Sequence, residues 1–373
     1  MRIGINLLPY SPGKHGGAEV YLYNTVSRLC ALAPSDEFYF FGAQDVVDEY
    51  SKAGDNCRPV PLGRRFVASR LARVVAEQSV LPVLCARYRI ERLVSNYVIP
   101  VFAPCKTVVI IHDLLVLRYP AMLERSKYVY WRIMIPASVR RSTFIVTVSR
   151  FSASEVESFF PAAVSKLFTT TEGIRPALAH ANYSDLPATD ITSGRYLLCV
   201  ATFGKHKNLD LLVHAFAQIA AMEPELRLVF VGTARTPDAK HYQAKLVDLS
   251  TELGLQKQVQ FADHVSNEVL ATLYSHALAL ILPSLYEGFG LPVVEAQYFG
   301  CPVVCSNIGA LSEIAGDAAV FFNPSSCEEL SLAISTIIQR PKLREYLRKK
   351  GYKNVARYSW DQAASDMMRI LSF

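Results

Sequence analysis

Short runs of β-branched, aliphatic and aromatic residues recur along the chain, and most are followed by a stretch with apolar positions three and four apart. The early runs are residues 2–8 (RIGINLL), 38–41 (FYFF), 107–111 (TVVII) and 144–148 (FIVTV). The late ones are 196–200 (YLLCV), 226–231 (LRLVFV), 259–261 (VQF), 278–282 (LALIL) and 302–305 (PVVC). Near-continuous apolar strands of this kind suit parallel sheets covered on both faces. Their alternation with helical patterns predicts βαβ units and a doubly wound α/β fold. Residues 175–194 (RPALAHANYSDLPATDITSG) interrupt the alternation with Pro, Asn, Asp, Ser and Gly and carry no period. They read as a linker between two domains. The expected division is 1–175, a linker at 176–194, and 195–356. Residues 341–373 read as helical with a break near Tyr358, Ser359 and Trp360, and a last helix, about 357–373, is expected to return to the first domain. No repeat of fixed period is visible.

In open α/β sheets, ligands bind beyond the carboxyl ends of the strands, so the residues just after each run are where chemistry is expected. Two such domains make the cleft between them the natural site. The densest constellation is 278–297, LALILPSLYEGFGLPVVEAQ. A buried strand leads to Pro283 and Ser284, then a glycine-rich turn, then a helix starting near Leu291 and Pro292. Gly288 and Gly290 allow the backbone to approach a ligand. Pro suits the first helical turn, and the free N–H groups of that turn favour an anion. Glu287 and Glu295 lie eight residues apart. A helix of that length would separate them by about 12 Å. They are therefore not an adjacent acid/base pair, and are better placed to hold two parts of one extended ligand.

The segment SLYEGFGLPVVEA resembles the signature of two glutamates separated by seven residues found in retaining glycosyltransferases of the GT-B architecture, and more narrowly in glycosyltransferase family 4. The resemblance covers most of the chain and is densest in its second half. It implies a GT-B fold, two Rossmann-like doubly wound domains facing a central cleft. It implies that Glu287 contacts hydroxyls of a donor sugar, that Glu295 holds the ribose hydroxyls of a nucleotide, and that backbone N–H groups of Phe289, Gly290 and Leu291 face sugar and phosphates. Residues 196–209 (YLLCVATFGKHKNL) place a loop between a strand and a helix that Asn208 is expected to cap. Lys207 stands where the family has a phosphate-binding lysine, suited to a diphosphate leaving group that gains negative charge. His206 stands where the family has an arginine. Either Lys205 compensates or His206 acts when protonated.

His112 and Asp113 follow the run TVVII and resemble the family's His-Asp-Leu element. His112 would hydrogen-bond the donor sugar, and Asp113 would orient His112 or contact the acceptor. No carboxylate is clearly placed for a covalent intermediate, so a same-face displacement is expected, with the leaving phosphate helping to deprotonate the acceptor. Gly16 and Gly17, in residues 11–20, resemble the family's loop over phosphates and acceptor. The pattern is not G-x-G-x-x-G, which speaks against nicotinamide binding. Asn307, after the run PVVC, and Gly232, after LRLVFV, are further nucleotide or phosphate candidates. Ser149 to Ser152 resembles a structural S-x-x-S element. The elements together most resemble bacterial mannosyltransferases that build surface polysaccharide, which implies GDP-mannose as co-substrate, no cofactor, no metal, and a polyprenyl-diphosphate-linked glycan as acceptor. UDP- or dTDP-sugars, an epimerase, and a non-catalytic sugar-nucleotide binder are the rival readings.

Composition adds three points. Hydrophobic residues are 51% and charged ones 19%, which excludes a disordered chain. The eight cysteines (30, 57, 85, 105, 199, 301, 305 and 327) form no CxxC pair and no metal-ligand spacing, which suggests a reducing, cytoplasmic compartment. The net charge of +6 is uneven: residues 1–180 hold 22 Lys and Arg against 14 Asp and Glu, and 181–373 hold 17 against 19. Residues 64–92 carry seven arginines within apolar helical stretches. This stretch either packs its apolar face on the sheet or lies on the inner face of an anionic membrane. No nucleic-acid-binding module is evident.

Overall fold

The computed structural model describes residues 1–10, 16–122, 125–182, 191, 194–263 and 265–373. Residues 11–15 of the glycine-rich loop, and 183–190 and 192–193 of the expected linker, lie outside them. The described chain divides into two compact units. One comprises Met1–Glu172 with Ser359–Phe373, the other Gly173–Tyr358. The stretch after the boundary opens with a short helix, Pro176–Ala179, whose Leu178 is buried. What reads as a structureless linker therefore begins as part of the second unit.

The first unit holds seven strands: β1 (Arg2–Asn6), β2 (Glu37–Gly42), β3 (Cys57–Pro61), β4 (Arg92–Asn96), β5 (Lys106–Ile111), β6 (Phe144–Thr147) and β7 (Leu167–Thr169). They form one parallel sheet in the order β3-β2-β1-β4-β5-β6-β7. The second unit holds β8 (Arg195–Val200), β9 (Leu226–Val231), β10 (Val259–Ala262), β11 (Ala279–Leu282), β12 (Val303–Ser306) and β13 (Ala319–Phe322). Their order, again all parallel, is β10-β9-β8-β11-β12-β13. Each sheet is of the doubly wound, Rossmann-like kind that the resemblance implies. Nine of the strands coincide with the apolar runs; β3, β4, β7 and β13 do not.

Helices cover both faces. The helix Trp360–Ser372 lays its apolar stripe against the helix Gly17–Leu32. Trp360 is buried edge-on to Tyr21, with 6.0 Å between ring centroids, and Arg28 Nε bonds Asp361 at 2.7 Å. Within the arginine-rich stretch, Arg70–Arg87 form a single helical rod with an irregularity at its middle. Its α-helical ends are Arg70–Val75 and Leu81–Arg87, and between them Ala76–Val80 forms a π turn. Pro82 accounts for it: it lacks an N–H and its ring crowds the carbonyl four residues back, so the ladder widens just ahead of it. The Leu81 amide bonds the Ala76 carbonyl, five residues back. The rod buries Ala76, Glu77, Leu81 and Cys85 and exposes Leu71, Val75 and Val83. Among the described residues, no helix is long and apolar enough to cross a membrane.

Glu77 is the carboxylate that this turn pushes inside. Its Oε1 accepts from Asn6 Nδ2 at 3.1 Å. Burial lifts the carboxyl from 4.5 to about 7, against the pull of the Asn6 hydrogen bond and the nearby Arg73 charge. An acid whose folded-state pKa is raised favours the fold below its unfolded value, and that contribution is lost as pH climbs to the folded value. The wild type is therefore expected to lose about 3 kcal/mol from this group as pH rises past 4.5 toward 7. Urea unfolding of wild type and Glu77→Gln at pH 5 and pH 8 checks this. The variant should gain on the wild type at pH 8; an equal difference at both pH values would refute the assignment.

Candidate active site

In the second sheet the chain runs from β8 outward to β9 and β10, then returns to place β11 on the other side of β8. Loops on either side of such a reversal diverge and leave a crevice at the carboxyl ends of the strands. The sequence puts Lys207 after β8 and Glu287 after β11, so the fold brings these two distant residues together there. Lys207 Nζ bonds Glu287 Oε1 at 2.6 Å, and the Ser284 hydroxyl donates to the same oxygen at 2.7 Å. The two side chains are only 16% and 13% exposed. Burial pushes the Glu287 carboxyl up, but the adjacent ammonium and the two hydrogen bonds outweigh it and hold it below the usual value. Glu287 is therefore a carboxylate at neutral pH.

The loops around this pair are tied to one another. Asn208 precedes the helix Leu209–Ala220 with φ +56°, and its side chain does not cap that helix as expected. It donates instead to the carbonyls of Pro283 and Pro324, at 3.1 and 2.9 Å. The Leu285 amide donates to the His206 carbonyl at 2.8 Å. The His206 ring lies over Gly204, where a Cβ would meet it at 2.7 Å. Burial and the neighbouring Lys207 push His206 down to about 4, so it is neutral at pH 7. The expectation that a protonated His206 replaces the family's arginine is thereby corrected; its neutral ring fills the loop. Lys205 is exposed beside it.

Glycines set the next boundary. Gly290 precedes the helix Leu291–Tyr298 with φ +105°, and a Cβ there would come within 2.7 Å of Leu311. Pro292 sits in the first turn. The Phe289 ring is buried edge-on to Tyr358 at 5.5 Å, so Phe289 anchors the turn by its side chain. Gly288 and Leu291 on either side are half-buried. Gly232 has a packing cause: a Cβ would lie 1.8 Å from the Ala201 carbonyl oxygen, so the loops after β8 and β9 can pass only with glycine. Asn307 accepts from the Ser312 hydroxyl at 2.9 Å and lines a polar cleft of about 270 Å³ with Asn323 and Glu329.

Glu295 lies inside the helix and is 2% exposed at its side chain. The sequence does not reveal what meets it. Arg175 grips both its oxygens, Nε to Oε1 and Nη2 to Oε2 at 3.1 Å, and the Tyr274 hydroxyl donates to Oε2 at 2.9 Å. These use three of roughly four acceptor positions on a carboxylate. Arg175 falls in the segment read as linker and Tyr274 in an ordinary helix, so neither carries a motif.

In the first unit His112 follows β5 and is buried. Asn96 Nδ2 donates to the Ala18 carbonyl at 3.3 Å, which turns its Oδ1 toward His112 Nε2 at 3.2 Å. His112 Nδ1 lies 3.8 Å from Glu172 Oε1. The Ser152 hydroxyl donates to the His112 carbonyl at 2.7 Å, and Ser149 Oγ accepts from the Ser152 amide, capping the helix Arg150–Phe159. Asp113 accepts from the Leu115 amide at 3.0 Å and the Tyr97 hydroxyl at 3.3 Å. Glu172 faces the imidazole, and the Asp113 carboxyl is turned to the Leu115 amide and the Tyr97 hydroxyl. Gly16 stands just before the helix that starts at Gly17, with open space where a Cβ would project. Among the described residues, no group of three His, Cys, Asp or Glu is placed to hold a metal ion.

Residues 188–354 match the family described as Glycosyl transferases group 1. The chain is similar to the O-antigen chain mannosyltransferase B of Escherichia coli, 29% identical over 284 residues, 74% of this chain and 69% of that protein. Two solved structures share the fold. Sucrose-phosphate synthase from Thermosynechococcus elongatus has a TM-score of 0.79 at 20% identity, covering 100% of this chain and 98% of that one. Anabaena Alr3699/HepE in complex with UDP and glucose has a TM-score of 0.74 at 17% identity, covering 100% and 99%.

Replacing Arg175 by Met would leave the buried Glu295 carboxyl with one neutral donor, the Tyr274 hydroxyl. Because Arg175 is 30% exposed, the loss is expected below the usual range for a broken buried pair, at about 2–3 kcal/mol. Urea unfolding of Arg175→Met, Glu295→Gln and the double variant checks it. The double variant should be less destabilised than the two singles added together; strict additivity would show that the pair does not interact.

Proposed function

We propose, on the premise that the chain belongs to the glycosyl transferases of group 1, that it moves a mannosyl group from GDP-mannose to a growing, lipid-linked surface glycan. The name of the E. coli relative supports the sugar and the product class. The observation that carries the catalytic reading is the Lys207–Glu287 pair at the strand-order reversal. A sugar-nucleotide leaves as a diphosphate, and negative charge grows on its bridging oxygen as the glycosidic bond breaks. Fixed positive charge at that point lowers the barrier without reorganisation. Lys207 supplies a full charge, and the free N–H groups opening the helix Leu291–Tyr298 supply partial ones.

Glu287 receives Lys207 and Ser284 on Oε1, so Oε2 is the oxygen for hydroxyls of the transferred sugar. Glu295 has about one acceptor position left for a ribose hydroxyl. His112 bonds a sugar hydroxyl through Nδ1, since Nε2 is committed to Asn96. In the proposed step the anomeric carbon–phosphate oxygen bond breaks and the bond to the acceptor oxygen forms on the same face. The acceptor proton passes to the departing phosphate, so configuration is retained without a covalent glycosyl-enzyme. This chemistry draws its positive charge from the protein and asks for no metal.

The proposed acceptor is carried at the inner face of the cytoplasmic membrane. Support comes from the helical rod, where Leu71, Val75, Val83 and Arg87 are exposed, and from the preceding turn, where Arg64 and Arg65 are exposed. Apolar side chains edged by cations suit an anionic lipid surface. Co-sedimentation with vesicles should require anionic lipid and fall with Leu71→Asp plus Val83→Asp; equal binding by wild type and variant would reject this face.

Thermal stabilisation by GDP, UDP, dTDP and ADP tests the donor. A site-specific ligand at 100 times its Kd adds about 2.7 kcal/mol. GDP alone should stabilise the protein, and Glu287→Ala should keep that shift while losing transfer of mannose, with EDTA leaving wild-type turnover unchanged. A shift with UDP or dTDP instead would overturn the mannose donor. Full turnover by Glu287→Ala would overturn the role of the pair.

A further inference from the structure

The amino-terminal edge of the first sheet, opposite the edge where His112 lies, brings two cysteines together. Cys85 stands near the end of the helical rod, in Leu81–Arg87. The chain then turns through Arg89, at φ +54°, into β4. The Ile90 amide donates to the Cys85 carbonyl at 2.8 Å. The Lys106 amide, next after Cys105, donates to the Glu91 carbonyl at 3.2 Å. These two bonds bring residues twenty apart in sequence to the two sides of one turn. Cys105 packs against the apolar cluster that contains Cys85, Ile90 and Leu93. The Cys85 thiol is its hydrogen-bond partner there.

Exposure and charge separate this pair from the other six cysteines. Cys85 is buried, whereas Cys105 is half-buried and reaches solvent. Two cations start the strands beside it: Arg92 of β4 and Lys106 of β5 are partners in the sheet register. The hydrogen bond with Cys85 and the Arg92 charge outweigh burial and hold the Cys105 thiol below its usual range. The same bond, together with burial, pushes Cys85 well up. A reachable thiol beside a cation, backed by a second thiol, is the setting in which thiol–disulfide exchange starts readily and then closes on itself. Cys30 and Cys57 also pair, with 3.3 Å between sulfurs, but both are buried and burial raises both. Cys327 is half-buried, but burial and the adjacent Glu328 raise it. Cys199, Cys301 and Cys305 are buried.

We propose that Cys85 and Cys105 form a dithiol modification site that takes a low-molecular-weight disulfide, with Cys105 as the attacking sulfur and Cys85 as the resolving one. In the first exchange Cys105 Sγ bonds one sulfur of the small disulfide. The S–S bond of that molecule breaks, and its other half leaves as a thiol with the Cys105 proton. In the second, Cys85 Sγ bonds Cys105 Sγ and displaces the remaining half, which takes the Cys85 proton. Two protein thiols are oxidised, and one small disulfide is reduced to two thiols. The new bond closes a loop around β4 and ties the end of the rod to the start of β5. Cys105 precedes β5 and His112 follows it, so a strand of six residues, about 20 Å long, separates the dithiol from the carboxyl edge. The site is thus independent of the reading given to that edge.

The test incubates the reduced full chain with glutathione disulfide and reads the product by intact mass and by a peptide map after alkylation. Wild type should lose about 2 Da, with Cys85 linked to Cys105, and dithiothreitol should restore the original mass. Cys85→Ser should stop at a glutathione adduct on Cys105, about 305 Da heavier. Cys105→Ser should show neither change. A cooperative thermal transition like that of wild type shows that each variant is folded. A Cys30–Cys57 link in place of Cys85–Cys105 would overturn the proposal, as would an adduct formed first on Cys85 or Cys327. So would an unchanged mass under conditions in which the urea-unfolded chain is oxidised.

Discussion

A parallel sheet puts the carboxyl ends of all its strands along one edge, and the chemistry of this chain depends on that constraint. Residues that follow different strands meet at that edge whatever their separation in sequence. Where strand order reverses, the loops part and leave room between them. In the second unit that place holds Lys207 and Glu287, eighty residues apart. In the first it holds a cavity between Tyr10, Tyr97 and Glu77. Both places arise from winding order alone, and the side chains then give each its character: charged in one, aromatic and weakly acidic in the other.

The two glutamates of the second unit illustrate how a protein partners carboxyl groups held away from water. Each is matched by one cation and one hydroxyl: Lys207 and Ser284 for Glu287, Arg175 and Tyr274 for Glu295. The matches differ in geometry. A lysine is a point charge on a flexible stem and can shift toward an arriving phosphate. An arginine fork binds both oxygens and holds the carboxylate in one orientation. The first arrangement suits a group whose charge environment changes during a reaction, the second a group that must stay where it is.

Most strands were legible because parallel strands buried on both faces are apolar throughout. The exceptions have physical reasons. β3 buries only Cys57 and Val60 and contains Pro59 and Pro61, as an edge strand can. β7 and β13 are also edges, and short. β4 is central and was still missed, because it ends in Ser95 and Asn96, which are buried and polar. The strand hardest to see is the one that carries polar groups into the site. The same holds for residues. Glu287, Glu295, Lys207 and His112 stand in recognisable motifs. Arg175, Tyr274, Glu172 and Glu77 matter through partners that only the fold brings to them. His206 shows the converse: a residue in a motif position whose surroundings remove the charge its identity suggested.

The path of the chain between the units has a consequence for biosynthesis. The second unit is one continuous stretch, Gly173–Tyr358, whereas the first is assembled from Met1–Glu172 and Ser359–Phe373. On a ribosome, the earlier part of the first unit emerges long before the helix that covers Tyr21. Until Trp360 and the apolar face behind it have been synthesised, the helix Gly17–Leu32 has a bare hydrophobic flank. The second unit can close on its own sequence meanwhile. The order of maturation is thus expected to invert the order of synthesis for part of the molecule, and the nascent N-terminal half is the stage at which a chaperone would find something to hold.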